Sequence, residues 1–460
     1  MIIRRLLSLF GFVLALGVLA SCGLFSDPTG TLHVATTTTG DTLDPNGYTV
    51  TMAEIDTTSE AAGVQDTVTV ASTGTVAFGN LPVAEYEIAL SGIQTNCTPR
   101  DGTPQRVSVS ADDTTEATFA VTCAPALLDR IVFTSEREGE APDRNPEIYA
   151  IRPDGTGLRR LTHNADGWTT DRDGKPVVSP RGRRVAFISH RDNDREIYTV
   201  TPNGKTTARI THNDWGGATR AWDHNPAFVP TGSTMVYDSH RRRADGLGST
   251  SALYKISLYG GEPTALTSSP PAAQNPAVSP DGDMIAYETY RSGNHDLSVM
   301  NADGSQSRRL TKHEANDRAP VWSPDGREIV FVSERNGNSD LYAVTPDGSG
   351  LTPLTTHDAA DSEPTYCPGG GPVVFTSRRD GNTNLYALNP DDRDQAPTPL
   401  TDHEAADGSP ICSPDGERVA FVSRRDGNAE IYTVATDGTG RTRVTEHPAT
   451  DEDPHWSPVR

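Results

Sequence analysis

The sequence predicts an all-β protein, a seven-bladed β-propeller closed by a carboxy-terminal strand and preceded by a small β-sandwich, and three observations carry that prediction. An apolar pentapeptide with an aromatic third residue recurs seven times: Ile131 to Ser135, Val185 to Ser189, Met235 to Ser239, Ile285 to Thr289, Ile329 to Ser333, Val373 to Ser377 and Val419 to Ser423. The aromatic residues fall at 133, 187, 237, 287, 331, 375 and 421, so the intervals are 54, 50, 50, 44, 44 and 46. A period in this range, with several strand-like pieces per unit, marks a propeller. Upstream, apolar residues alternate with polar ones at a spacing of two, the pattern of half-buried antiparallel strands.

Taken in order, the chain opens with a targeting segment. Arg4 and Arg5 precede an apolar run from Leu6 to Leu19, shorter than the roughly 20 residues of a membrane-spanning helix and of the length of a signal-peptide core. The run ends in Leu19, Ala20, Ser21, Cys22, which resembles the lipobox of bacterial lipoproteins. That resemblance implies a signal peptide over 1–21, cleavage before Cys22 and a lipid on its sulfur. Gly23, where an inner-membrane retention signal has Asp, implies the outer membrane. An ordinary secretory signal with an incidental cysteine is the competing reading. Residues 22–29 then read as a tether. The chain has 62 Asp plus Glu against 40 Lys plus Arg, a formal net charge of -22. With no basic cluster to displace counterions from phosphates, nucleic acid is excluded as a partner. The membrane is expected to be met through the lipid anchor only.

Residues 30–125 read as the sandwich. The pairs Val68, Val70; Tyr86, Ile88; Val107, Val109; and Phe119, Val121 each skip one residue, and turn formers such as Asp44, Pro45, Asn46, Gly47 separate about seven short strands. In an exported protein the compartment is oxidising, so Cys97 and Cys123 are expected to pair. Phe78, Gly79, Asn80, Leu81, Pro82 followed by Tyr86 to Leu90 resembles the carboxypeptidase regulatory-like, or transthyretin-like, sandwich domains, which implies a spacer or adhesive module.

Residues 129–460 hold the repeats. A strand ending in a turn precedes the core, as in Pro276 to Gly282, Pro320 to Gly326 and Pro410 to Gly416, with Pro at its start and Pro, Asp, Gly at its end. After the core comes a Tyr-bearing strand such as Asp340 to Val344, then a last strand ending in an apolar residue and Thr, as in Leu354 and Thr355. The first unit lacks its leading strand, and Pro454 to Pro458 is an orphan copy of it. If the orphan completes the first unit, seven four-stranded blades close with no bare edge. Cys367 and Cys412 sit at different motif positions of neighbouring repeats and are expected as buried free thiols. Trp322 to Gly326, with Phe331, Ser333, Arg335, Tyr342, Asp347, Gly348 and Thr355, resembles the TolB-type, WD-like propeller repeat. That resemblance implies a periplasmic or surface interaction platform, and six blades as the alternative count.

The residues that look chemical recur too regularly to form one site. His163, His212, His313, His357, His403 and His447 follow the Thr of six final strands, and four have an acidic residue four positions later. A ligand site needs an asymmetric set, so these read as a structural network; by analogy with WD repeats the His is expected to bond the Ser of the second strand. His313, Glu314 and His403, Glu404 start a zincin string whose second His is absent, and the scraps at Asp171 to Gly174 and Asp192 to Asp194 lack a calcium loop's final Glu. Neither metal nor cofactor is expected. The repeat breaks at Asn164 to Asp173, Asp214 to His224 and Arg241 to Ser251, where Trp168, Trp215, Trp222, Arg241, Arg242 and Arg243 form the candidate partner site, because aromatic and Arg side chains dominate interfaces. The expected function is a non-enzymatic, lipid-anchored scaffold that binds an envelope protein or glycan. A propeller-based hydrolase or polysaccharide lyase is the alternative.

Overall fold

A computed structural model of the chain describes residues 28–39, 47–55, 65–93, 97–100, 102–123, 126–137, 145–163, 172–191, 194–212, 221–242, 249–259, 261–268, 271–291 and 293–459. The described residues are all-β, with no helix, and their contacts divide them into two units.

The first region is two four-stranded antiparallel sheets. One has the order Gly74–Pro82, Thr29–Thr39, Thr114–Cys123, Cys97–Pro99; the other runs Gln65–Val70, Tyr48–Glu54, Glu85–Ser91, Gln105–Ser108. The alternation in the sequence becomes alternation in burial: Leu32, Val34, Val50, Met52, Tyr86, Ile88, Phe119 and Val121 are all buried, while the residues between them are less so. Cys97 lies directly opposite Cys123 in the sheet, and the two form the expected disulfide.

The second region contains seven four-stranded antiparallel sheets, numbered here as blades 1 to 7 in the order of their second strands. Blade 5 shows the pattern: Asp317–Trp322 innermost, then Ile329–Ser333, Asp340–Val344 and Thr352–Pro353. The second and third strands are buried along nearly their whole length, on both faces. Each blade is sandwiched between two others, which is why their sequences run as unbroken apolar stretches and do not alternate. Seven apolar clusters join successive blades, the last uniting blade 7 (Ala420, Ile431) with blade 1 (Ile131, Phe133, Trp456).

Blade 1 has its innermost strand from the far end of the chain. Asp451–Trp456 pairs antiparallel with Ile131–Ser135, in the register Asp451 to Ser135 and Trp456 to Ile131. Arg130 N–H donates to Ser457 Oγ at 2.8 Å, and Trp456 Nε1 donates to the Ile411 carbonyl of blade 7 at 3.0 Å. Trp322 makes the equivalent bond to Ala277 of blade 4, so in blades 1 and 5 the Trp position reaches into the blade before.

That reach corrects the expectation for Cys367 and Cys412, which form a disulfide with Cα atoms 5.2 Å apart. Cys412 occupies the Trp position of blade 7, and Cys367 the Ser position of blade 6. Facing directions within a single strand are the wrong criterion, because the Trp position points across the gap to the preceding blade. Blade 6 has also lost the lock of its first turn. In blades 4, 5 and 7 the Ser hydroxyl donates to the turn Asp (Ser279 to Asp281, Ser323 to Asp325, Ser413 to Asp415), but blade 6 has Cys367 followed by Pro368 and three glycines.

Candidate functional site

The polar residues of the regular blades are engaged in building them. In blade 5 the Arg335 guanidinium donates to Ser333 Oγ at 2.7 Å and to both oxygens of fully buried Asp317 at 2.9 and 3.0 Å. It also lies 4.5 Å from the centroid of the Tyr342 ring, a cation–π contact. The same set recurs as Arg137, Asp451 and Ser135; Arg191, Asp173 and Ser189; Arg379, Asp361 and Ser377; and Arg425, Asp407 and Ser423. The partner of the second-strand Ser is therefore Arg, not the His expected by analogy. The His rings cap their own turns: Nδ1 of His313, His357, His403 and His447 accepts the N–H of Ala315, Ala359, Ala405 and Ala449. An Asn from the turn between second and third strands, such as Asn338, donates to the His carbonyl, which puts both turns on one face. His163 and His212 stand at the ends of described segments.

The axis is lined by a second repeated feature. In every innermost strand the residue before Pro has a positive φ between 49° and 53°: Lys175, Asn225, Asn275, Ala319, Glu363, Ser409 and Asp453. Each sits in a bulge where the ladder register shifts. A cavity of about 380 Å³ touched by innermost-strand residues of blades 1, 2, 3, 4 and 7, including Lys175, Asn225, Ser409 and Asp453, is the central channel. The bulges turn backbone N–H groups toward carboxylates of the preceding blade: Lys175 to Asp453, Asn275 to Asp238, Ala319 to Glu288 and Ser409 to Glu363.

The repeat breaks down at blades 2 to 4, on the face that carries the His and Arg turns. Asp238 and Glu288 are buried where blades 5 to 7 have Val332, Thr376 and Val422. Asn225 Nδ2 donates to Asp238 at 2.8 Å and to Asn275 Oδ1 at 2.6 Å; Asn275 Nδ2 donates to Glu288 at 2.8 Å. Beside this amide and carboxylate chain is a group of cations and imidazoles. Arg195 Nε donates to His190 Nε2 at 3.2 Å, and its Nη1 stands 3.1 and 3.2 Å from the two ring nitrogens of His224. His224 meets His240 edge-on, with centroids 5.4 Å apart. Burial, then the charge of Arg195, pushes His224 down to about 3, and the same two causes lower His190. Blade 4 has Ala273 where the others have the buried Asp, and its Arg291 is exposed.

Of the expected partner residues, Trp222 stands on this face, 52% exposed, paired with His240 and bridged to Arg195. Arg241 and Arg242 are paired in the strand Thr234–Arg242. Trp168, Trp215, Arg243 and Cys22 lie outside the described residues. Sequence reasoning missed Arg195, His190, His224, Asp238 and Glu288. A signal existed: Arg195 replaces the Pro146, Ser339, Thr383 and Ala429 of other blades, but it becomes visible only once the blades are aligned residue by residue.

Residues 248–365 and 355–459 match the TolB beta propeller domain family, and residues 145–295 match the dipeptidyl peptidase IV N-terminal region. Among solved structures, puromycin hydrolase (an S511A mutant complexed with PGG) is similar at 17% identity with a TM-score of 0.58, over 70% of this chain and 53% of that one. The chain thus spans about half the length of that hydrolase. An oligogalacturonate lyase from Vibrio parahaemolyticus is similar at 18% identity and TM-score 0.53, over 67% of this chain and 86% of that one. TolB from Acinetobacter baumannii is similar at 17% identity and TM-score 0.46, over 73% and 68%. At these identities the likeness is one of fold.

Proposed function

We infer that this chain, whose repeats form a TolB-like propeller, is a non-enzymatic binding scaffold carried on a lipid anchor at Cys22 in the bacterial outer membrane, with the β-sandwich as its spacer. The observation that carries the reading is the division of labour among polar residues. Five blades commit Asp, Ser and Arg to one repeated internal contact, and the departures gather on one face of blades 2 to 4, where half-exposed Trp222 stands beside Arg195. An aromatic side chain and an Arg grouped at the broken part of a regular scaffold are the ingredients of a binding surface. The partner is an envelope protein or glycan. Crosslinking in envelope extract tests it: wild type is expected to capture a partner that Trp222→Ala loses, and capture unchanged by that substitution would remove this face from the proposal.

The enzyme reading has one specific support, the lyase whose length is 86% covered, since a propeller of this kind then makes up most of an enzyme. A screen with oligogalacturonates and peptides separates the two. Turnover that disappears in Arg195→Ala would replace the scaffold with a catalyst.

A further inference from the structure

Arg195 differs from the other strand-end arginines in what neutralises it. Arg137, Arg160, Arg191, Arg209, Arg335, Arg379 and Arg425 each meet a carboxylate within 3.2 Å. Among the described residues Arg195 meets no carboxylate at all; its hydrogen-bond partners are two imidazoles. These rings accept from the guanidinium, so both are held neutral, and they orient the cation without cancelling its charge. A half-buried guanidinium in that state is costly unless an anion from outside completes it.

The space for one is present. Arg195, His190 and His224 line a cavity of about 380 Å³ at the channel mouth, within the volume range of small-molecule sites. Lys175 and Arg172 line the same cavity, and after burial and Arg195 the Lys175 ammonium is among the charges that lower His224. Glu136, Glu452 and Asp453 line it as well, beside Asp173, which Arg191 holds, and Glu452 also meets Arg424 at 2.8 Å. Asp453 is fixed there, accepting from Thr134 Oγ1 at 3.2 Å and from the Lys175 N–H at 3.3 Å. Lys175 and Asp453 also border the channel cavity, so the two cavities adjoin. A site lined by both cations and carboxylates disfavours a dianion such as phosphate. It suits a ligand with a single carboxylate at one end and hydrogen-bond donors at the other.

We propose that this mouth is a binding site for a small carboxylate, with Arg195 as its anchor and the carboxylates of Glu136, Glu452 and Asp453 receiving ammonium or hydroxyl groups at the ligand's far end. The proposal rests on the scaffold reading and gives that scaffold a ligand class. Planar guanidinium and carboxylate pair through two parallel hydrogen bonds, a geometry that an ester or amide cannot reproduce.

Calorimetric titration of the full chain tests it with four probes: glycylglycine, glucuronate, glucuronate methyl ester and inorganic phosphate. Binding of either carboxylate, with the ester at least ten-fold weaker, is expected. Preference for glycylglycine assigns the donor end to an ammonium, and preference for glucuronate assigns it to hydroxyls. Arg195→Ala is expected to weaken the carboxylate by roughly ten- to a hundred-fold, the size of a charged hydrogen bond, and Arg195→Lys by less. Unfolding midpoints of both variants, run in parallel, confirm that they are folded. The assignment is overturned if neither carboxylate binds, if the ester binds equally well, if only phosphate binds, or if a folded Arg195→Ala binds as wild type does. Chemical conversion of a bound carboxylate would sink the scaffold reading and leave the site standing.

Discussion

Asp317 is fully buried, and its carboxylate is tolerated only because Arg335 meets both of its oxygens. Removing one partner of such a pair leaves an uncompensated charge in the interior, so Asp317→Ala is expected to cost about 3 to 5 kcal/mol in denaturant unfolding. Asp317→Asn, which keeps one acceptor, should cost less. At His224 the direction of pH dependence follows from the shift. Its folded value, about 3, lies below the roughly 6.5 of an unfolded His, so as pH falls between those limits the unfolded chain takes up a proton that the folded chain does not. Its contribution is complete above about pH 6.5 and is lost progressively toward pH 3. His224→Asn should therefore lose stability less steeply than wild type over that window, and parallel slopes would contradict the assignment. Asp223 is shifted the other way, raised first by burial and then by the Glu196 carboxylate of blade 2, against the Ser239 hydrogen bond. These neighbours come from different blades, which is why no local motif announced them.

At the scale of the element, the innermost strand is where regularity and strain coexist. Ala319 holds a φ of 52° on an exposed bulge, a left-handed conformation that costs an ordinary residue about 1 to 2 kcal/mol. Its N–H is committed to Glu288 at 2.8 Å, so the strand keeps the bulge. Ala319→Gly relieves the conformation and retains that bond. It is expected to raise stability by about 0.5 kcal/mol in thermal unfolding once glycine's entropy is set against the gain. The strands themselves could be read from sequence, because a Pro recurs in each innermost strand, a Pro-x-Gly turn follows six of the seven, and the second and third strands are unbroken apolar runs. The bulge could not: six different side chains occupy its seven positions, and the Pro that follows fixes its own φ and not the sign of its neighbour's.

At the scale of the molecule, closure and cross-linking set the stability of the ring. The Cys367 to Cys412 bridge spans 45 residues, for which chain entropy gives about 4 kcal/mol. Cys412→Ser is expected to lower the unfolding free energy by about 2 to 4 kcal/mol, with one titratable thiol appearing at Cys367. Deleting residues 451–460 removes the innermost strand of blade 1 together with Asp451, the partner of Arg137. The expected result is a chain without a single cooperative thermal transition, and an unchanged melt would show that closure contributes nothing. The sequence by itself determined the blade count, the strand order within each blade and the clasp at Pro454 to Pro458, because each is written in periodicity and turn chemistry along the chain. Only the tertiary structure decided the disulfide between blades, the Arg partner of the second-strand Ser and the meeting of Arg195 with His190 and His224 in a cavity shared with Glu136, Glu452 and Asp453. The physical reason is that a blade is specified by residues close in sequence, whereas the channel mouth is assembled from loops and strand ends as far as 319 positions apart, whose proximity exists only once the ring has closed.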